Sequence, residues 1–251
     1  MNFEVDKDFA LLYGIMLGDG CLSLVNKKKK FISIKGSLKD DLPFFEKVIS
    51  PILTKFRNKS TNIKIKKADN SIEFNFTDKR LFDIIASFGF PIGKKGDRLF
   101  IPRLFYDKHL VEYVVNGFFS TDGSLVLTKN PNKYYPRLEA HVISKTLLKE
   151  IYDYLINLGM KGGFYLSKSK PDSRWLVVQD KYKFQFNGKV NLLLFHNIIG
   201  FANPKYEEKF LNFINYSDEY DTKIKGLPMY NIKNLSRELN SKFFLMTPER
   251  F

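Results

Sequence analysis

The sequence predicts an α+β protein built from two copies of one mixed αββαββα unit. Three observations carry this expectation. A helix-length apolar run ending in Asp-Gly occurs twice, once as Leu11-Leu-Tyr-Gly-Ile-Met-Leu-Gly-Asp-Gly20 and again as Val114-Val-Asn-Gly-Phe-Phe-Ser-Thr-Asp-Gly123. The same order of strand-like alternation and helix-like periodicity follows each run. The spacing between matched landmarks widens steadily, from Asp19/Asp122 through Phe76/Phe186 to Gly89/Gly200, as loop insertions in a duplicated unit produce.

In the first unit, the opening helix is followed by a strand at Phe31 to Lys35 and a helical pattern from Lys39 to Phe56. Alternating strands Ile63 to Lys66 and Ile72 to Phe76 come next, and a helix from Lys79 to Phe88 ends at Gly89-Phe90. In the second unit, Leu125 to Leu127 and Leu138 to Ile143 read as strands and Thr146 to Leu158 as a helix. Strands at Trp175 to Val178 and Tyr182 to Phe186 precede a helix Val190 to Ile199, which ends at Gly200-Phe201. The expected division is a first repeat over 1–100, a second over 101–216 and an extension of no assigned role over 217–251. The boundary falls near Arg98 to Asp107, where Ile101-Pro102 punctuates the chain, and Asn231 to Phe244 suits a further helix.

Composition narrows the function classes. The 251 residues carry 41 Lys+Arg against 27 Asp+Glu, a formal charge of +14 that points to an anionic partner. With 44% hydrophobic residues and 25 Phe the chain can build a core, so it is no disordered basic tail. A single cysteine, Cys21, excludes an internal disulfide framework and a multi-cysteine zinc site, and suits a reducing compartment. His109, His141 and His196 are too scattered for a zinc-hydrolase or His-Asn-His nuclease signature. The apolar run Phe9 to Gly18 is about half the length of a membrane span, and it lacks the features of a signal peptide. A soluble intracellular protein is expected.

One Asp-Gly helix end on its own reads more readily as an ordinary capped, buried helix than as a site. Two features of the pair argue otherwise. Gly14 and Gly18, and Gly117 and Thr121, put small residues four apart on one face, which lets the two helices approach closely. Their C-terminal Asp19 and Asp122 would then meet each other and the negative helix ends, an arrangement that costs each about 0.3–1 kcal/mol from the dipole alone. A divalent cation, held by one or two carboxylates, reverses that cost.

These two segments, Leu12 to Gly20 and Val115 to Gly123, resemble the signature helices of the monomeric, double-motif LAGLIDADG homing endonucleases. The resemblance spans about residues 6–215. It implies two pseudo-symmetric repeats whose antiparallel sheets form a DNA-binding saddle. It further implies Asp19 and Asp122 as catalytic ligands of Mg²⁺, or of another divalent cation such as Mn²⁺, with the backbone carbonyls of Gly18 and Thr121 as further ligands. The motif's second position is Tyr13 and Asn116 where the family has Ala, and Thr121 replaces a small residue before the second acid. Family members often place a basic residue near each scissile phosphate. Matching Gly89-Phe90 with Gly200-Phe201 pairs Lys94 with Lys205, so Lys94 or Lys95 and Lys205 fill that role, with Lys145 as an alternative in the second half.

Two other readings fail. The loop Gly93-Lys94-Lys95 is no nucleotide-binding loop, because the required glycine is Phe88 and the required Ser or Thr is Lys95. His196-Asn197 is followed by Ile198 and a long remainder, so it is no splicing junction.

Strand alternation sorts polar residues onto one face: Ser33 and Lys35, Lys64 and Lys66, then Lys183 and Gln185. Adjacent basic loops add Lys129, Lys133 and Arg137, and Lys168, Lys170 and Arg174. Such faces suit phosphates and base edges. The expectation is a monomeric, Mg²⁺-dependent endonuclease acting on a long asymmetric duplex. The alternative is a maturase of the same fold acting on host intron RNA, or a DNA-binding protein that does not cut.

Overall fold

The structure, a computed structural model, describes residues 3–128, 135–168 and 180–221. The chain through Phe210 forms one compact unit and the chain from Leu211 a second. Both sheets and the central helix pair lie in the first.

Helix α1 (Lys7–Asp19) starts where the Asp6 side chain accepts a hydrogen bond from Phe9 N at 2.9 Å. It is buried nearly all round, from Phe9 to Gly18, and so reads as a core helix with no polar stripe. Strands β1 (Gly20–Val25), β2 (Lys29–Ser37), β3 (Lys64–Lys66) and β4 (Ser71–Thr77) form an antiparallel sheet in the order β1-β2-β4-β3. Between β2 and β3 run α2 (Leu38–Phe44), a π-helical turn and α3 (Ser50–Arg57), and α4 (Lys79–Ser87) follows β4. The apolar face of this sheet, with Ile32, Ile34, Ile72 and Phe74, is sealed by residues such as Phe45, which stacks on Phe74 at 5.2 Å.

The second half repeats this order. After the short helix α5 (Arg103–Asp107) come α6 (Val111–Asp122), β5 (Gly123–Thr128), β6 (Tyr135–Val142) and α7 (Lys145–Asn157). Strands β7 (Gly162–Ser167) and β8 (Lys181–Asn187), then α8 (Lys189–Ile198), complete it, with sheet order β5-β6-β8-β7. The matching strand orders establish the mixed α+β two-repeat architecture read from the sequence.

Four details differ from the sequence reading. Strand β1, unnoticed in the sequence, follows Asp19 directly, as β5 follows Asp122. Helix α5 and helix α9 (Pro204–Asp221) are additional, and α9 runs across residue 216. Strand β7, Gly162–Ser167, which pairs with β8, was not read from the sequence, and the expected strand Trp175 to Val178 lies outside the described residues. Gly162 suits that edge because a Cβ there would meet the carbonyl of Gln185 and the ring of Phe186. Asn231 to Phe244 and the extension 217–251 beyond Asp221 also lie outside the described residues.

Candidate functional site

The site begins with the contact between α1 and α6. A Cβ at Gly14 would fall on the Val114 carbonyl and within 2.9 Å of Phe118 N, and one at Gly117 would fall on the Leu11 carbonyl and within 2.8 Å of Ile15 N. A Cβ at Gly18 would collide with the Thr121 side chain. The spacing of small residues thus places the helices backbone to backbone. The two motif positions where Ala was expected anchor this pair outward. Tyr13 Oη donates to the Phe88 carbonyl at 3.2 Å, and Asn116 Nδ2 to that of Ile199 at 2.7 Å. Each ties the end of its repeat's last helix to the central pair, just before Gly89 and Gly200, whose φ values of 85° and 75° suit only glycine comfortably.

Asp19 and Asp122 are the last residues of the two helices, brought together by that contact. Burial and then the neighbouring Asp122 carboxylate push the Asp19 carboxyl up to about 7, against the opposing pull of Lys95 and Lys205. Burial also raises Asp122, while Lys95 and Lys181 hold it back. The centre therefore resists negative charge and gains from any added cation.

One cation is already present. Lys95 Nζ donates to the Leu17 carbonyl at 3.0 Å and to that of Gly18, with both acids close enough to oppose its loss of charge. Burial pulls the Lys95 ammonium below its ordinary value. Of the two candidates Lys94 and Lys95, the structure brings Lys95 to the acids. Lys94 lines the adjoining cavity of about 450 Å³, together with Asp122, His141, Ser144 and Lys181. Ser144 Oγ donates to the Leu99 carbonyl at 2.9 Å, so the first repeat's basic loop is clasped by the second repeat.

The second basic segment crosses the other way. Asn203, fully buried, donates through Nδ2 to the Ser120 carbonyl and to Asp41 Oδ1, each at 3.0 Å. Lys205 Nζ donates to the same Asp41 oxygen at 2.7 Å, and Asp41 Oδ2 accepts from Ser37 N at 2.9 Å. Tyr206 Oη donates to the Gly123 carbonyl. Two side chains thus share what Lys95 does alone: Asn203 takes the helix carbonyl, and Lys205 supplies charge beside Asp19. Lys145 lies over the Tyr182 ring at 5.7 Å. Thr121 Oγ1 turns back on its own helix, donating to the Phe118 carbonyl at 2.9 Å.

Sequence reading missed Asp41, Asn203, His141 and Lys181. Asn203-Pro204 did carry a helix-start signal. For Asp41 there was none, since its partners are remote in sequence.

The polar strand residues share one face as expected. In the first sheet, Ser33 faces Asn75, and both Lys35 and Lys64 face Glu73, whose carboxylate lies 3.3 Å from Lys66 Nζ. Asn75 Oδ1 is buried there without a protein partner. In the second sheet, Glu139 gathers the predicted residues: Gln185 Nε2 donates to it at 2.9 Å, Lys183 lies at 3.3 Å and Arg137 at 3.8 Å. Lys168 is exposed beyond β7. Lys129, Lys133, Lys170 and Arg174 lie outside the described residues.

No protein-family model and no curated protein matches the sequence. Solved structures do. Variants of the homing endonuclease I-DmoI superpose with a TM-score of 0.54 at 19% identity, covering 77% of this chain and 95% of theirs. I-DmoI in complex with DNA and Ca matches with a TM-score of 0.52 at 20% identity, covering 76% and 88%. The meganuclease I-SmaMI bound to uncleavable DNA matches with a TM-score of 0.52 at 14% identity, covering 82% and 88%. This is the double-motif LAGLIDADG homing-endonuclease fold. In LAGLIDADG terms, α1 and α6 are the two signature helices, and the acids stand at their paired ends. No described helix is long and apolar enough to cross a membrane.

Proposed function

We propose that this chain is a divalent-metal-dependent, site-specific endonuclease that cuts both strands of a long, asymmetric DNA duplex. Its two repeats are residues 1–100 and 101–216, and it acts as a monomer because one chain carries both acids. The observation that carries this reading is the buried pair Asp19 and Asp122, held together at the helix ends in a protein of charge +14. Structures of the same fold hold DNA with Ca, or target DNA in the presence of Mn.

The residues fit a hard cation such as Mg²⁺ or Mn²⁺. The donors are oxygens only, two carboxylates with raised proton affinity, and the neighbouring Gly18 carbonyl already takes the Lys95 ammonium. Asp19 and Asp122 would hold the ion, with the Gly18 and Thr121 carbonyls as further ligands. When bound, such an ion supplies Lewis acidity toward the phosphate. The chain's own residues do the rest. Lys95 and Lys205, with Lys94 lining the cavity, offset the charge that gathers on the phosphate as it is attacked. Ser33, Lys35, Lys64 and Lys66 on one sheet, and Arg137, Lys183 and Gln185 on the other, face the duplex, with Lys168 beyond β7; Lys129, Lys133, Lys170 and Arg174, outside the described residues, add positive charge for the same partner. Because the two faces carry different residues, the target is not a palindrome.

The test is selection from a randomised duplex pool in Mg²⁺ buffer, followed by mapping of the cut ends. Asp19→Asn and Asp122→Asn variants are expected to retain binding and lose double-strand cleavage. If either cuts as fast as the parent, the acids do not do this chemistry.

A further inference from the structure

The two halves of the catalytic centre are not equivalent, and one difference is an acid present in the first repeat only. Ser37 and Ser144 are matched N-caps, each accepting a hydrogen bond from the backbone N–H three residues on, Asp40 N and Leu147 N. Four residues after each cap stand Asp41 and Leu148. Leu148 is a fully buried core residue. Asp41, one helical turn beyond the end of β2 and also buried, has both carboxylate oxygens committed, one to Ser37 N and the other to Asn203 and Lys205 of the opposite repeat. Lys95, by contrast, rests on backbone carbonyls.

We propose that Asp41 is the positioning residue for Lys205, fixing that ammonium beside Asp19 so that it serves the phosphate of one strand only. The inference rests on the nuclease reading above. A free lysine side chain samples many rotamers, and a buried carboxylate with one oxygen tied to the backbone selects one of them. Asn203 on the same oxygen closes the cluster against the signature helix, so Lys205 reaches the centre from a fixed direction. Asp41 touches no reacting atom; it acts through Lys205, while its own negative charge adds to the burial and the Asp122 charge that raise Asp19. The other half has no such acid at the matched position, so loss of Asp41 leaves the hydrogen bonds that place Lys95 intact.

The experiment is single-turnover cleavage of the duplex that the parent selects from a randomised pool, with the two strands carrying different end labels, in Mg²⁺. Lys205→Met is expected to slow one strand by roughly 10²- to 10³-fold, the usual loss on removing one charge-stabilising donor. Asp41→Asn is expected to slow that same strand by about tenfold or more, with the other strand within about twofold of the parent, so that nicked duplex accumulates. The double variant should be no slower than Lys205→Met alone, because the two act as a unit. Asp41→Asn leaves Ser37 N facing an amide, so thermal unfolding of each variant accompanies the kinetics. An equal slowing of both strands by Asp41→Asn, or slowing of the strand that Lys205→Met spares, overturns the proposal and leaves the nuclease reading standing. A parent that selects and cuts no duplex overturns both.

Discussion

Asp19→Asn is expected to make the metal-free protein more stable while abolishing cleavage. The folded carboxyl titrates at about 7 against an ordinary 3.8, so ionising it in the folded protein is unfavourable by roughly three pH units, or about 4 kcal/mol. The sign follows from the upward shift. The group's contribution to stability is fully present below the ordinary value and is lost as pH rises from about 4 through about 7. An Asn keeps the shape and carries no charge at any pH. Local relaxation and water entry lower the recoverable part to on the order of 2 kcal/mol, a melting rise of about 4–8 °C for a domain of this size. The assay is thermal unfolding in EDTA at pH 5 and pH 8, parent against variant. The variant should gain most at pH 8 and less than half as much at pH 5. Added Mg²⁺ should stabilise the parent, more strongly at pH 8 where no proton must leave, and should not rescue the variant to the same degree. An equal difference at both pH values, or a variant less stable at pH 8, would refute the claim that burial and Asp122 strain this carboxylate.

Three further outcomes follow from the geometry. Lys95→Met should slow cleavage roughly 10²-fold and, by removing the buried counter-charge, make the metal-free protein lose stability faster with rising pH, read by the same melting series. Gly117→Ala should cost about 3 kcal/mol or prevent folding, since its Cβ lands on the Leu11 carbonyl and neither backbone can yield, as urea unfolding would show. Glu139→Gln should change the preferred base at one position of the selected target while leaving the salt dependence of binding near that of the parent, because Glu139 orders Gln185, Lys183 and Arg137 without itself meeting phosphate.

Much of the centre was legible because duplication writes it twice. Gly14 with Gly18 and Gly117 with Thr121 announced helices that touch, and the terminal acids followed from the chain order alone. Strand faces were legible for the same local reason: Lys64 and Lys66 alternate with isoleucines whatever the sheet does next. What escaped was set by contacts across the chain. Asp41 looked like one more acid in an acidic first helical turn, and only its pairing with Asn203 and Lys205 from the other repeat gives it a role. The second-repeat edge strand β7 was missed because Gly162 and Gly163 have little strand propensity. There the ring of Phe186 claims the space, and packing overrides propensity.

The crossing of the two basic segments explains why the duplicated unit is fused into one compact body. Ser144 of the second repeat holds the loop that carries Lys95, and Asp41 of the first holds Lys205. Each half of the centre is therefore assembled from both repeats, and the acids meet only where α1 and α6 touch. A repeat on its own would leave the close-packed seam at Gly14 or Gly117 exposed, and the second would also leave Lys205 without Asp41, whereas Lys95 rests on carbonyls of its own repeat. The contact that buries the seam is the same contact that builds the charge centre, so stability and the proposed cleavage are coupled at one interface. Sequence divergence between the repeats is then free to accumulate on the sheet faces, where Glu73 with Lys35, Lys64 and Lys66 differs from Glu139 with Arg137, Lys183 and Gln185. It is constrained at the seam, where small residues and the two acids recur.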